Sequence, residues 1–149
     1  VDLFCKAIKE LDYKGIVVGD GDEKVKLEAK YPNIEFVGWK NKTEVKQYMK
    51  GARALIFPSR WYEGAPLTPL EAMQYGIPCI VSDVSAACEY AKEQDNIFSI
   101  EQENLPEIIK KYESKLDENY NKEIVKTFER YIKTEYIQNL LIYYKEEII

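Results

Sequence analysis

The sequence contains no histidine. That absence removes Ser-His-Asp triads, histidine metal sites and histidine general bases from anything the chain does alone. Cysteine is scarce as well. Cys5, Cys79 and Cys88 are odd in number and form no CxxC pair, which argues against a disulfide framework and for a reducing compartment. No apolar run approaches the roughly 20 residues needed to cross a bilayer. Positive charge is in deficit: 21 Lys and Arg face 26 Asp and Glu, a net of −5, so the broad basic footprint of a nucleic-acid binder is missing. A small phosphorylated ligand survives this exclusion, because a helix N-terminus supplies the necessary field locally. An initiator Met and a charged-then-apolar leader are also lacking, and Val1 runs directly into an amphipathic stretch, so the chain reads as an excised piece. The expected location is cytoplasmic, with room for peripheral attachment of the intact protein at the inner membrane face.

What is present describes one globular domain over 1–149, long enough to bury its own core. At 46% hydrophobic and 32% charged, the chain falls outside the disordered class. Leu3, Phe4, Ala7, Ile8 and Leu11 recur at helical spacing and predict a helix over Asp2 to Leu11. The β-branched run Gly15 to Gly19 predicts a buried parallel strand. Further along, helices are expected over 23–31, Thr43 to Lys50 and Leu67 to Tyr75. Strands are expected over Ile34 to Val37, Ala52 to Phe57, Ile77 to Val81 and Asn96 to Ile100. This alternation predicts an α/β fold, a Rossmann-like parallel sheet with helices on both faces. After residue 103 the pattern becomes helical only, with one stripe of Leu105, Ile108, Ile109 and Tyr112 and a later one of Phe128, Ile132, Tyr136, Leu140 and Tyr143. Its tyrosines predict a partly exposed packing surface, part of it without its partner.

In such sheets ligands sit outside the carboxyl ends of the strands, so the residues that follow each strand matter most. Gly19-Asp20-Gly21 stands at the first of these ends, where paired glycines allow close approach of a phosphate or sugar; a plain tight turn explains them equally well. The segment from Phe57 to Met73 is more informative. It sets Glu63 in a glycine-containing loop and Glu71, eight residues on, in the first turn of the following helix. Free backbone N–H groups between them suit an anionic diphosphate, and the carboxylates suit sugar hydroxyls. A bland reading competes. Thr68, Pro69 and Glu71 also fit a capping box, with Thr68 as the cap and Glu71 reaching back to the backbone. Trp39 either stacks on a base or, as the residue alone favours, covers the sheet edge. Gly76 reads as a helix C-cap and Pro78 as a rigid strand entry.

These segments together resemble the C-terminal domain of glycosyltransferase family 4, the group 1 enzymes of GT-B fold. The resemblance runs from about Gly15 to Glu89. It is carried by Ile16-Val-Val-Gly-Asp-Gly21, Ile34-Glu-Phe-Val-Gly38, Ala54-Leu-Ile-Phe-Pro-Ser59, the E-x7-E pair Glu63 and Glu71, and Leu70-Glu-Ala-Met-Gln-Tyr-Gly-Ile-Pro78. The resemblance implies the donor-binding half of a retaining enzyme that uses a nucleoside-diphosphate hexose, without metal or other cofactor, on a glycan or lipid-linked acceptor. It implies Glu63 as the catalytic residue facing the hexose and Glu71 as the ribose ligand. Amides near Leu67 and Thr68 would meet the diphosphate, Gly19, Gly21 and Gly64 would border the donor, and Gly38 and Trp39 the base. Three departures accompany it. The family's basic diphosphate clamp would precede Val1, Pro66 replaces a glycine and offers no N–H, and Ser85 to Glu89 lacks the usual glycines, so Glu89 receives no role. With the N-terminal acceptor domain also absent, the chain alone is expected to be inactive.

A different class of function remains open: a non-catalytic nucleotide-binding or regulatory module of flavodoxin-like build, the receiver-type version of which would use Asp20 and Asp83 at strand ends and would leave the E-x7-E loop unexplained. A GT-B epimerase would need histidines.

Overall fold

Short β-branched runs alternate with amphipathic helices, and each run becomes a parallel strand. The computed structural model describes residues 1–64, 66–91, 96–115 and 117–131. Helix α1 (Asp2–Leu11) leads to β1 (Gly15–Val18), α2 (Lys24–Lys30), β2 (Ile34–Gly38), α3 (Lys42–Gly51) and β3 (Leu55–Phe57). Then follow α4 (Leu67–Gln74), β4 (Cys79–Ser82), the short α5 (Cys88–Ala91), β5 (Ile97–Phe98), α6 (Leu105–Glu113) and α7 (Glu118–Tyr131). The later stripe from Ile132 onward lies outside the described residues. No described helix is long and apolar enough to cross a membrane.

The strands are parallel, as expected, but they form two sheets rather than one. β1 pairs with β2, and β3, β4 and β5 pair in that order. Between the edges of β1 and β3 runs a cleft of about 1040 Å³, lined by Ile16 and Val18 on one side and Leu55 and Ile56 on the other. Those edges make no ladder bonds to each other, and Ile16 stays 49% exposed although its neighbours are core residues.

Helices do cover both faces. Along β4 and β5 successive side chains point to opposite sides, as strand geometry requires. Ile80 and Phe98 join the core made with α1 and α6, through Leu3, Ile8, Leu105, Ile109 and Tyr112. Cys79 and Val81 join the opposite core with Ala72 and Met73 of α4 and Ile124 of α7. All four residues of β4 are buried, which makes it the central strand and explains its continuous apolar character. Tyr112 departs from the partly exposed surface expected of the C-terminal tyrosines: it is only 3% exposed and its ring lies 5.5 Å from that of Tyr120. Buried Asn96 donates to the Tyr120 hydroxyl at 3.1 Å, tying the start of β5 to α7.

Gly76 ends α4 as expected. Its φ of +73° is left-handed, and the N–H groups of Gly76 and Ile77 return to the carbonyls of Met73 and Ala72. A Cβ there would stand 3.2 Å from the Asn121 carbonyl, so the glycine serves both the turn and the approach of α7. Pro78 then leads into β4, with its carbonyl accepting from Leu55 N at 2.8 Å.

Candidate functional site

The carboxyl ends of β1 and β2 are clamped together. Gly19 N donates to Gly38 O at 2.9 Å, and Trp39 N donates to Asp20 Oδ2 at 2.8 Å. Lys24, the first residue of α2, donates to Asp20 Oδ1 at 3.0 Å. Because Lys24 and then the Trp39 N–H stabilise its charge, the Asp20 carboxyl is held below the usual carboxylate range. Gly38 has φ +71°, and a Cβ on it would lie 3.1 Å from Lys24 Nζ, so only glycine keeps both the turn and the clamp. No atom lies within 4 Å of a Cβ built on Gly19, Gly21 or Gly64. Each presents open backbone. Trp39 is 72% exposed, which overturns its reading as a cover for the sheet edge.

At the ends of β3 and β4 a second group forms. The loop from Pro58 exposes Trp61 and Tyr62, while Glu63 is partly buried. Ser59 Oγ donates to Glu63 Oε1 at 2.5 Å, and Ser82 Oγ, fully buried on β4, donates to Ser59 O at 2.6 Å. Ala86 N, from the loop after β4, donates to Glu63 O at 3.2 Å. Arg60 turns to α1 and donates to Asp2 at 2.7 Å, helping to hold the Asp2 carboxyl low against the desolvation that would raise it.

The start of α4 corrects the capping reading. Pro66 is the N-cap in an extended conformation and the helix begins at Leu67, so Thr68 caps nothing and Glu71 stands beyond the first turn. No side chain caps this end and no acidic residue occupies its first turn. Proline has no N–H, so with prolines at positions 66 and 69 the donors left at this terminus are the N–H groups of Leu67 and Thr68, neither of which has a hydrogen-bond partner among the described residues. Glu71 is partly buried and its carboxylate accepts no hydrogen bond among the described residues.

The structure thus gathers Gly19, Gly21, Gly38 and Trp39 at one pair of strand ends, and Glu63 with Gly64 in the loop leading to Leu67, Thr68 and Glu71 on α4. Val18, Pro58 and Thr68 all line the cleft between the sheets. Glu89 is exposed on α5, and among the described residues its side chain makes no hydrogen bond. Asp83 accepts from Ile100 N at 3.3 Å, and with Asp20 engaged as above, both strand-end aspartates are spent on loop structure. That counts against a receiver-type module. Among the described residues no three His, Cys, Asp or Glu side chains gather as a metal site requires. Sequence reading missed Ser59 and Ser82. Their pairing spans 23 residues and leaves no local signal.

The family model for glycosyl transferases group 1 matches residues 1–136. The chain belongs to that family. An Escherichia coli UDP-Gal:α-D-GlcNAc-diphosphoundecaprenol α-1,3-galactosyltransferase is 31% identical over 101 residues, 63% of this chain and 25% of that protein. A lipopolysaccharide 1,6-galactosyltransferase of Salmonella typhimurium is 41% identical over 75 residues, 45% of this chain and 21% of that protein. This group 1 chain therefore spans about a quarter or less of those relatives. Among solved structures, the catalytic domain of the Helicobacter pylori cholesterol-α-glucosyltransferase superposes with a TM-score of 0.75 at 22% identity, over 87% of this chain and 89% of that one. WaaG, a glycosyltransferase involved in lipopolysaccharide biosynthesis, gives 0.68 at 21% identity, over 90% of this chain and 39% of that one. The fold is that of a GT-B glycosyltransferase domain.

Proposed function

We propose that this domain binds the nucleoside-diphosphate sugar of a retaining transferase that moves a hexose to a glycan or lipid-linked acceptor. The observation that carries this reading is the start of α4 without a side-chain cap: among the described residues the Leu67 and Thr68 N–H groups have no partner, between an anchored Glu63 and a Glu71 whose carboxylate accepts no hydrogen bond. A helix N-terminus with orphan donors favours an anion, and a diphosphate offers one. Glu71 then accepts from the ribose hydroxyls and Glu63 from the hexose. Gly38 and Trp39 border the base, and the open backbone of Gly19, Gly21 and Gly64 borders the rest of the donor. In the reaction the bond from the hexose C1 to the diphosphate oxygen breaks, and an acceptor hydroxyl attacks C1 from the same face and passes its proton to the departing diphosphate oxygen. Negative charge grows on the departing diphosphate. The α4 donors stabilise part of it, and cationic groups from outside these residues supply the remainder.

UDP is the nucleotide to try first, since UDP-Gal stands in the name of the Escherichia coli relative. Titrating the chain with UDP, GDP and ADP, each with and without a linked hexose, tests the reading. One diphosphate should bind, and its hexose form more tightly. Failure of all six ligands to bind would remove the proposal. Acceptor binding is assigned to a separate N-terminal domain and the cationic clamp to residues preceding Val1, so the chain alone should turn over no donor. We place the intact enzyme in the cytoplasm, at the inner membrane face when its acceptor is lipid-linked.

A further inference from the structure

We propose that Ser59 is a positioning residue for Glu63, holding its carboxylate ready for the hexose; this rests on the reading that Glu63 faces that sugar. An ionised carboxylate only accepts hydrogen bonds, so in the contact between Ser59 Oγ and Glu63 Oε1 the serine gives its single proton. The remaining contacts of the hydroxyl follow. The Trp61 carbonyl, 3.2 Å away, cannot have the same proton, whereas the Trp61 N–H, at 3.4 Å, points to a lone pair the hydroxyl still has. Ser59 is itself fixed from below, because Ser82 on the central strand donates to its carbonyl from a fully buried position. The Glu63 main chain is fixed separately by the Ala86 N–H. Carboxylate and backbone are therefore both fastened to β4 and the loop after it, within a segment whose other side chains, Arg60, Trp61 and Tyr62, are exposed.

Glutamate has several torsions to freeze, and a carboxylate already held by one donor avoids that ordering on binding. It also keeps most of its acceptor capacity, since a carboxylate has about four lone-pair sites and Ser59 occupies one. The serine thus acts on the sugar only through the glutamate.

The test uses the 149-residue chain and calorimetry with UDP and UDP-galactose, or the corresponding GDP or ADP pair if one of those bases binds instead. The quantity read is the hexose increment, the ratio of the two dissociation constants. Ser59→Ala should reduce it roughly tenfold, the worth of one well-made hydrogen bond, while UDP itself binds as before. Ser59→Thr, which keeps the hydroxyl, should restore it. In the Glu63→Gln background Ser59→Ala should add nothing further, as expected of a residue acting through its neighbour. A merely structural role would instead lower the melting temperature and weaken both ligands alike, and that result overturns the proposal. If Glu63→Gln loses the increment and Ser59→Ala keeps it, the serine assignment is wrong and the donor reading stands. If Glu63→Gln keeps the increment, or the parent has none, both fall. Should Ser59→Ala not fold, Ser59→Cys carries the same comparison with a weaker donor.

Discussion

Replacing Glu71 by glutamine separates a ribose ligand from a structural carboxylate. Glu71 lies in the body of α4 beyond the first turn, partly buried, with no hydrogen bond to lose among the described residues. Glutamate and glutamine have nearly equal helix propensity, so the exchange should leave the melting temperature unchanged. Binding should respond strongly. A hydrogen bond to a charged group is worth about 1.5–3 kcal/mol net, and losing one weakens the nucleotide by about tenfold to a little over a hundredfold. Calorimetry with UDP reads the change, and a thermal melt of the same protein controls for folding. Glu63→Gln should act differently: free UDP binds as before, and only the extra affinity of UDP-hexose is lost. Nucleotide binding by Glu71→Gln as tight as that of the parent would remove Glu71 from the site, and the donor reading would lose the residue on which it most depends.

Other measurements probe the frame of the site. Gly76→Ala forces a left-handed φ on a residue with a Cβ and crowds the Asn121 carbonyl, so the urea midpoint should fall by the equivalent of about 1–2 kcal/mol. Cys79 is buried and its thiol is pushed up by desolvation, as is that of Cys5, whereas Cys88 is partly exposed. A disulfide reagent at neutral pH should therefore titrate Cys88 in the native protein and all three thiols only after unfolding. The same two thiols have folded pKa values above their unfolded ones, so the stability they contribute is complete below the unfolded value, about 8.5, and declines as pH rises beyond it. Asp20 has the opposite sign. Its folded pKa lies below the unfolded value, so its contribution is present above about pH 4 and lost as pH falls, and Asp20→Asn should flatten the acid limb of a pH–stability curve.

Local pattern made most elements readable, and pairing made the rest obscure. Period and β-branching marked β1 to β5 to within a few residues, although only β4 is buried along its whole length and the expected burial of β1 fails at Ile16 and Val18, which line the cleft. They could not say that β1 and β3 would stand apart across a cleft, since strand neighbours are chosen by contacts distant in sequence. The start of α4 misled for a definite reason. Thr68 to Glu71 has capping-box spacing, yet Pro66 in an extended conformation starts the helix at Leu67. The capping box that does form lies at Asn41 and Glu44, whose side chains each accept from the other's backbone N–H, at 3.0 Å in both directions. It was legible in principle, as Asn41 and Glu44 have the required spacing. Of the candidate site, Glu63, Glu71 and the glycines could be picked out from their motifs. The serines beneath Glu63 could not, because a hydroxyl in a loop, as at Ser59, or at the end of a strand, as at Ser82, reads as an ordinary polar residue.

The two carboxylates begin binding from different states, and this bears on which one dominates specificity. Glu63 is ordered before any ligand arrives, so a hydrogen bond to it returns nearly its full worth, and a hydroxyl in the wrong place has no adaptable partner. Glu71 accepts no hydrogen bond among the described residues, so under the proposed reading its side chain is ordered only on binding, at about 0.5–1.5 kcal/mol, in exchange for the cis pair of ribose hydroxyls common to ribonucleotides. A rigid group suits the variable part of the donor and an adaptable one the constant part. Swapping galactose for glucose, which moves a single hydroxyl, should therefore alter affinity through Glu63 alone: the ratio of UDP-galactose to UDP-glucose binding should collapse toward one in Glu63→Gln and persist in Glu71→Gln at uniformly weaker affinity. Equal loss of discrimination in both variants would mean that neither carboxylate is held in advance, and that the sugar is read by the rest of the cleft.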